Sequence, residues 1–226
     1  MCGRFSLATS KEKLQQQLPF VETSETLRVS YNIAPTQHAY VVTNDQPQRL
    51  QYLTWGLVPH WSNDGKNNGR LINARREGIE VKPSFRIPIR QRRCLVPADS
   101  FYEWKKEGRR KIPYRIFAKD GSLLLFAGVW DIWYKGDYGL KTFSIITTPP
   151  NYEMSGIHSR MPVILHTKEQ QKAWLEEQDL FEILALLQTP PDGLLDMHRV
   201  SELVNSTGND SPELHYEVPE PPTLFD

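Results

Sequence analysis

The chain has 226 residues, 39% of them hydrophobic and 24% charged, which is ordinary for a globular protein with one large domain or two small ones. No apolar run is long enough to span a bilayer and no basic-then-apolar leader precedes Cys2, so we expect a cytoplasmic protein without membrane segments. The formal net charge is zero. A disulfide between Cys2 and Cys94 is disfavoured in the cytosol, and we expect Cys94 to be a buried core thiol.

The first half of the chain predicts one short helix and two strands. Ser10 is a suitable N-cap and Pro19 a stop signal, which together predict a helix over residues 10–18. The other elements predicted in this half are a structured loop, two strands and a polar surface loop, at residues 31–36, 39–43, 50–58 and 59–69.

Three helical segments are predicted further along the chain. Residues 84–93 have the pattern of a short basic helix that Pro88 interrupts. Thr167 and Gln170 form the sequence pattern of a capping box, in which each side chain bonds the other residue's backbone N–H. The segments that follow this box are predicted as helices over residues 167–177 and 180–187.

Strand patterns dominate the rest of the second half, at residues 94–97, 114–118, 123–130, 141–148 and 161–165. Asp120-Gly121 is a typical hairpin turn. The acidic, proline-rich residues 217–226 predict an extended and disordered tail. Many short strands and few helices predict a single α+β domain, built on a curled, mainly antiparallel sheet or a partly closed β-barrel with peripheral helices.

Charge is distributed unevenly along the chain. Residues 66–119 carry sixteen Lys and Arg against five Asp and Glu, whereas residues 151–226 carry four against fourteen. This separation favours a basic face for a polyanion, although a solvated surface without a partner would have the same composition.

Cys2 follows the initiator methionine, and removal of Met1 would give one residue both a free α-amine and a thiol. Their reference pKa values of ~7.7–8.0 and ~8.5 leave a nucleophilic fraction of each near neutral pH. An amine forms a Schiff base with an aldehyde, and the adjacent thiol can then close a thiazolidine ring. The alternative is that Cys2 belongs to a frayed terminus without a role.

Three further motifs carry polar groups suited to chemistry. Asn73 and Arg75 lie two residues apart and so share one face of an extended chain. Glu103 lies among aromatic residues, which could raise its pKa as acid/base work requires, and His158 precedes a predicted strand. Taken singly, each also fits an ordinary structural role. The sequence has no phosphate-binding loop, dinucleotide fingerprint or metal-ligand spacing, so we expect no cofactor and no metal.

Together, seven motifs occur in one order along the chain: MCGRF at 1–5, YNIAPT at 31–36, WGLVPHW at 55–61, INARRE at 72–77, RCLVPA at 93–98, FYEW at 101–104 and HSRMP at 158–162. In order and spacing they resemble the SRAP (SOS response-associated peptidase) family, which includes abasic-site-shielding proteins of bacteria and animals. The resemblance covers residues 2–165, and we predict one SRAP-like domain over residues 1–216.

The resemblance implies that the protein binds single-stranded DNA and traps the ring-opened aldehyde of an abasic site as a thiazolidine crosslink, with possible lyase and reversal activities. It implies that Cys2 forms the crosslink and that Asn73 hydrogen-bonds the opened sugar or the adduct. Glu103 is then the acid/base residue, and His158 assists proton transfer. The protein is expected to be a monomer, associated with the nucleoid if it is bacterial.

The resemblance also implies contacts with the DNA strand. Arg4 and Arg75 fit phosphate contacts, and Pro35, Trp55 and Trp61 fit the wall along the strand. Residues 204–205 correspond to a late strand near the site. The full set of expected DNA-binding residues is Arg4, Asn32, Pro35, Trp55, Trp61, Arg75 and Arg160.

Two other functions remain open at this level. Enzymes that begin with Met-Cys-Gly include N-terminal-nucleophile amidohydrolases and peptidases, in which the α-amine activates the thiol. A second alternative is a single-stranded DNA-binding module without covalent chemistry. Leu224 and Phe225 near the terminus could dock in a bacterial sliding clamp or form an ordinary apolar tail end.

Overall fold

A computed structural model of the chain describes residues 2–22, 27–67 and 69–219. The strands are β1 Arg4–Leu7, β2 Ser30–Ile33, β3 His38–Thr43, β4 Leu50–Trp55, β5 Asn73–Arg75, β6 Arg93–Ala98, β7 Ser100–Glu107, β8 Arg110–Ala118, β9 Leu124–Lys135, β10 Tyr138–Thr148, β11 Met161–Pro162 and β12 Leu195–Arg199. The helices are α1 Lys11–Gln17, α2 Pro88–Gln91, α3 Tyr152–Ser155, α4 Lys168–Glu176 and α5 Leu180–Ala185, with 3-10 helices at Glu202–Asn205 and Pro212–His215. Within the described ranges, no helix has the length and apolar content needed to cross a membrane.

Five strands close into a barrel, in the order β10-β4-β3-β6-β9 and back to β10. The β10–β4 pairing is parallel and the others are antiparallel. Because each strand has a hydrogen-bonded neighbour on both sides, closure satisfies its backbone groups. The short strands β5 and β11 add to β10 at its carboxyl end. The predicted α+β class with a mainly antiparallel barrel is confirmed.

A second, antiparallel sheet has the order β12-β8-β7-β1-β2, so the start of the chain lies inside it. Phe5 of β1 packs edge-on against barrel residues Trp55 and Phe126, with ring centres 5.0 and 6.2 Å apart. Phe101, opposite Phe5 on β7, contacts Phe126 in the same way at 5.9 Å. This aromatic packing joins the sheet to the barrel and fixes the position of the residues just before β1.

The C-terminal segment covers the outer face of the second sheet. There a small separate core forms from buried Tyr102, Val200, Val204 and Leu214. Glu217 pairs with Val200, and the Val218 N–H donates to the Arg199 carbonyl at 2.9 Å. The tail predicted from residue 217 is therefore ordered at its first two residues. Leu224 and Phe225, the predicted clamp-docking residues, lie outside the described residues, as does Met1.

The predicted helix starts are confirmed in detail. Ser10 accepts a hydrogen bond from the Lys13 N–H and caps α1. Thr167 and Gln170 form both bonds of the capping box that opens α4.

Four local predictions are wrong. Pro88 occupies the first turn of α2, where a missing N–H costs nothing, and so opens that helix instead of interrupting it. The loop predicted at 31–36 is β2 followed by a turn. Gly121 lies in a turn between β8 and β9, which belong to different sheets, so the turn is not a hairpin. Residues 204–205 end a 3-10 helix and do not form a strand.

Candidate functional site

Cys2 lies directly before β1 and is fully buried. Its carbonyl oxygen accepts a hydrogen bond from Asn73 Nδ2 at 2.8 Å, and its Sγ–H donates to the Arg4 carbonyl at 3.7 Å. Burial raises the pKa of the thiol, and the negative charge of Glu103 raises it further. The frayed-terminus alternative is therefore wrong, and Cys2 in this chain carries a protonated thiol at neutral pH.

Asn73 is brought to Cys2 by the barrel. It begins β5, which pairs in parallel with β10 and places Asn73 opposite Ile145. The preceding residue is also fixed, because Trp55 Nε1 donates to the Ile72 carbonyl at 2.9 Å. Asn73 Oδ1 is buried and accepts no hydrogen bond from any residue that the structure describes. One amide group thus holds the Cys2 backbone and keeps an acceptor available inside the site.

Glu103 and His158 line one open cavity. Glu103 lies on β7, two residues beyond Phe101, and only 3% of its surface is exposed. The cavity has a volume of about 400 Å³, and its lining residues are Glu103, Trp104, Lys106, Lys111, His158 and Asn205. Since the charge of Glu103 also acts on the Cys2 thiol, the carboxylate connects the cavity to Cys2.

His158 lies between α3 and β11. Its Nδ1 accepts a hydrogen bond from the Arg160 N–H at 3.0 Å and lies 3.2 Å from the Arg160 carbonyl oxygen, so the backbone of Arg160 orients the ring. Because β11 pairs with β10 and β5 pairs with the same strand, β10 positions both His158 and Asn73. Of the four residues predicted for chemistry, the structure thus places Asn73 against Cys2, and Glu103 and His158 on one cavity.

Arg4 and Asn32 hold the wall of the site in place through hydrogen bonds within the protein. The Arg4 guanidinium donates to Asn32 Oδ1 at 2.7 Å and to the carbonyls of Val204 and Asn205 at 2.6 and 3.2 Å. Asn32 is buried, and its amide donates to the Val204 carbonyl and to two carbonyls beyond it. The DNA contact predicted for Asn32 is corrected, because the residue is buried and its amide binds the 3-10 helix beside the cavity. For Arg4, the same contacts favour a structural role over the predicted phosphate contact.

Arg160 is also engaged within the protein. It donates to both carboxylate oxygens of Glu77, at 2.7 and 3.0 Å, and to the Thr147 carbonyl. This guanidinium holds the pKa of Glu77 below its usual value. This ion pair fixes the segment after His158, and the DNA contact of Arg160 stays a prediction. Arg75, by contrast, is exposed, and its side chain makes no ion pair or hydrogen bond with the described residues.

Of the three residues predicted to form the wall along the DNA strand, Trp55 is excluded by its burial. Trp55 has no exposed surface and packs on Phe5, so its ring cannot stack on a base. Trp61 is 54% exposed on the loop after β4, and Pro35 is half-buried in the turn after β2. Buried Asp131 anchors that loop by accepting the backbone N–H of His60 at 2.9 Å. Trp61 and Pro35 remain available to a strand.

Sequence reasoning missed two lysines of the cavity rim. Lys106 and Lys111 lie opposite each other on the β7–β8 hairpin and are exposed. Trp104 forms the adjoining wall, and its Nε1 donates to Asn205 Oδ1 at 2.8 Å. The basic run around the hairpin indicated a cationic surface, but only the strand register shows which two lysines reach the cavity.

No group of three or more His, Cys, Asp or Glu side chains in the described part of the chain is placed to hold a metal ion. The polar groups around Cys2 are one amide, one carboxylate and one imidazole. These groups can position a backbone, move protons and donate a hydrogen bond, which suits acid/base and nucleophilic chemistry.

Comparisons with known proteins agree with one family. The family model of SOS response associated peptidase (SRAP) matches residues 1–207, so the similarity extends beyond the motifs to the 3-10 helix at the site. The chain is 44% identical over 222 residues to a Bacillus subtilis protein named abasic site processing protein YoqW, covering 95% of this chain and 98% of that one. It is 30% identical over 257 residues to a Gallus gallus protein named abasic site processing protein HMCES, covering 94% and 76%.

A solved structure confirms the fold. The crystal structure of a Bacteroides thetaiotaomicron protein superimposes on the chain with a TM-score of 0.84 at 29% identity, covering 96% of this chain and 100% of that one.

Proposed function

The chain belongs to the SOS response associated peptidase family, and from this membership and the geometry around Cys2 we propose that it captures abasic sites in single-stranded DNA as a thiazolidine crosslink. The observation that carries the proposal is the burial of Cys2 against Asn73, beside the β7 strand whose Glu103 shares a cavity with His158. The names of relatives such as YoqW and HMCES, which process abasic sites, support the same substrate.

The first step requires a free α-amine on Cys2, which removal of Met1 provides. The amine attacks the aldehyde carbon of the ring-opened sugar, and the resulting carbinolamine loses water to give a Schiff base. The amine is the first nucleophile, because the Schiff base must form before the sulfur can add to its carbon and close the ring. Asn73 fixes the backbone of Cys2 so that amine and thiol face the same carbon.

The second step closes the ring. The sulfur adds to the imine carbon, its proton passes to Glu103, and the imine nitrogen takes up a proton, so that a neutral thiazolidine forms without further loss of atoms. Glu103 is placed for this transfer because its neighbour Tyr102 pairs with Arg4 in the antiparallel β1–β7 register, which brings Glu103 beside the start of the chain. His158, which lines the same cavity as Glu103, assists proton transfer at the sugar. Crosslink reversal follows the same steps backwards, and lyase activity begins from the Schiff base.

Phosphate contacts come from the rim of the cavity. Lys106, Lys111 and Arg75 are exposed cations beside the residues that perform the chemistry, and Trp61 offers an exposed ring. Such contacts bind any sequence and weaken with salt, so selectivity arises from the aldehyde chemistry. A monomer acting on cytoplasmic, nucleoid-associated DNA is part of this proposal.

Denaturing electrophoresis after incubation with an abasic oligonucleotide tests the proposal. The wild-type protein is expected to give a heat-stable adduct and the Cys2→Ala variant none. Cys94→Ala is the matched control, because Cys94 is equally buried but lies in the barrel, and it should crosslink normally. An adduct formed by Cys2→Ala would refute the proposal. Processed protein without an adduct, but with glutamine hydrolysis, would favour the amidohydrolase instead.

A further inference from the structure

An exposed row of planar side chains lies on the outer face of the barrel. His38 and Tyr52 stack with ring centres 5.3 Å apart and planes 22° apart, and Tyr40 contacts Tyr52 at 4.9 Å. The Arg28 guanidinium lies over the Tyr52 ring, 5.8 Å from its centre. These four residues, here called the aromatic shelf, come from β3, β4 and the segment before β2.

The aromatic shelf is held in place before any ligand arrives. The Tyr40 hydroxyl accepts the Arg28 backbone N–H at 3.2 Å, and His38 Nε2 lies 3.2 Å from the Thr54 hydroxyl. Tyr52 is nevertheless 44% exposed, and the shelf borders a cavity of about 560 Å³. Rigid, exposed aromatic groups bind a flat ligand with little loss of side-chain entropy.

The aromatic shelf is close to the crosslinking cavity. Asn205 lines the cavity with Glu103, while Asp210 lines the cavity of the shelf. The five residues from one to the other span at most about 18 Å, which corresponds to about five stacked nucleotides at 3.4 Å each. Asn32 fixes this connecting segment by donating to its carbonyls.

The turn after β2, which borders the cavity of the shelf, is held in an uncommon conformation. Thr36, which borders the shelf cavity, has φ +72°, the only positive φ of a non-glycine residue in the described part of the chain. Its N–H donates to the Trp55 carbonyl at 2.8 Å, which holds the turn against the barrel. A β-branched residue is strained in this region, and such strain collects at functional sites.

We propose that the aromatic shelf stacks an undamaged base of the same single strand whose abasic site reacts at Cys2; this inference rests on the proposed function. Bases stack on aromatic rings and on arginine planes irrespective of sequence. The shelf offers both kinds of surface, the rings of Tyr52 and His38 and the guanidinium of Arg28. The Asp210 carboxylate at the edge, which accepts the Tyr31 N–H, repels phosphate. The shelf therefore contacts the base and leaves the backbone to the lysine rim.

Oligonucleotides of two lengths separate the shelf from the crosslinking site. One carries about one nucleotide and the other about ten nucleotides on each side of the abasic site, so that only the longer can reach the shelf. The rate of crosslinking at subsaturating protein is measured for wild type, Tyr52→Ala and Tyr52→Phe. Tyr138→Ala is the matched control, since Tyr138 is 63% exposed on the β9–β10 hairpin and lines neither cavity.

Tyr52→Ala is expected to slow capture of the long oligonucleotide about 5- to 100-fold, the cost of one lost base stack, and to leave the short one unchanged. Tyr52→Phe and Tyr138→Ala should behave as wild type, because stacking needs the ring and not the hydroxyl. An unchanged rate for Tyr52→Ala on the long oligonucleotide would overturn the shelf proposal, as would an equal loss on both lengths. Failure of wild type to crosslink either length would instead refute the proposed function.

Discussion

Replacing Arg4 by alanine should destabilise the protein without removing a DNA contact. The guanidinium makes three hydrogen bonds, to the Asn32 side chain and to the carbonyls of Val204 and Asn205. Hydrogen bonds to a charged group contribute about 1.5–3 kcal/mol each, and water can replace part of those at exposed Asn205. We therefore expect a loss of about 2–4 kcal/mol, which lowers the Tm of a chain of this length by roughly 5–15 °C.

The salt dependence of binding to undamaged single-stranded DNA distinguishes this role from a phosphate contact. Each phosphate contact to a single strand contributes about 0.7 to the slope of log Kobs against log salt concentration. Arg4→Ala should keep the wild-type slope while its Tm falls. Lys106→Ala, on the exposed cavity rim, should lower the slope by about 0.7 with an unchanged Tm. An unchanged Tm for Arg4→Ala together with a lower slope would refute the reasoning.

Three further substitutions test the packing around the site. Asp131→Ala should cost about 3 kcal/mol in urea denaturation, because the N–H groups of His60 lose their buried acceptor, and wild-type stability would contradict this. Burial lowers the pKa of His215 to about 4. As the pH falls, His215 is therefore protonated in the unfolded chain before it is protonated in the folded protein. The free energy of unfolding should fall by up to about 3 kcal/mol from pH 6.5 to pH 4. His215→Gln should flatten that pH profile, and an equally steep profile would exclude His215 as its cause. Gly56→Ala should lower the Tm, since Gly56 has φ +114° and a Cβ there would lie 2.5 Å from Asn67 Oδ1; an unchanged Tm would show that the loop adjusts freely.

The residues with special chemistry could be found from the sequence, because few residue types can replace them. A cysteine after the initiator methionine, a carboxylate among aromatics and an imidazole before a strand each have a chemical meaning by themselves. The structure adds that Cys2, Asn73 and Glu103 converge, through strands far apart in the chain. That convergence depends on pairing between β1, β7, β5 and β10, which local patterns do not determine.

The roles of the arginines and of one tryptophan could not be read in the same way. In the sequence, Arg4 has the features of a phosphate-binding arginine, but its partners are carbonyls about two hundred residues away. Trp55 alternates with its neighbours along β4, and only the closure of the barrel decides that its ring faces inward. Likewise, the turn at Gly121 has hairpin chemistry, yet the strands on its two sides join different sheets.

The thiazolidine mechanism is decided by the intact mass of the protein before and after reaction with a single-stranded oligonucleotide carrying one abasic site. We expect a starting mass without methionine, and then an adduct equal to protein plus oligonucleotide minus one water, stable without borohydride reduction. Cys2→Ser should give an adduct only when borohydride is present, since it can form the Schiff base but lacks the sulfur that closes the ring. A stable adduct formed by Cys2→Ser without reduction, or processed wild-type protein that gains no mass, would contradict the thiazolidine mechanism.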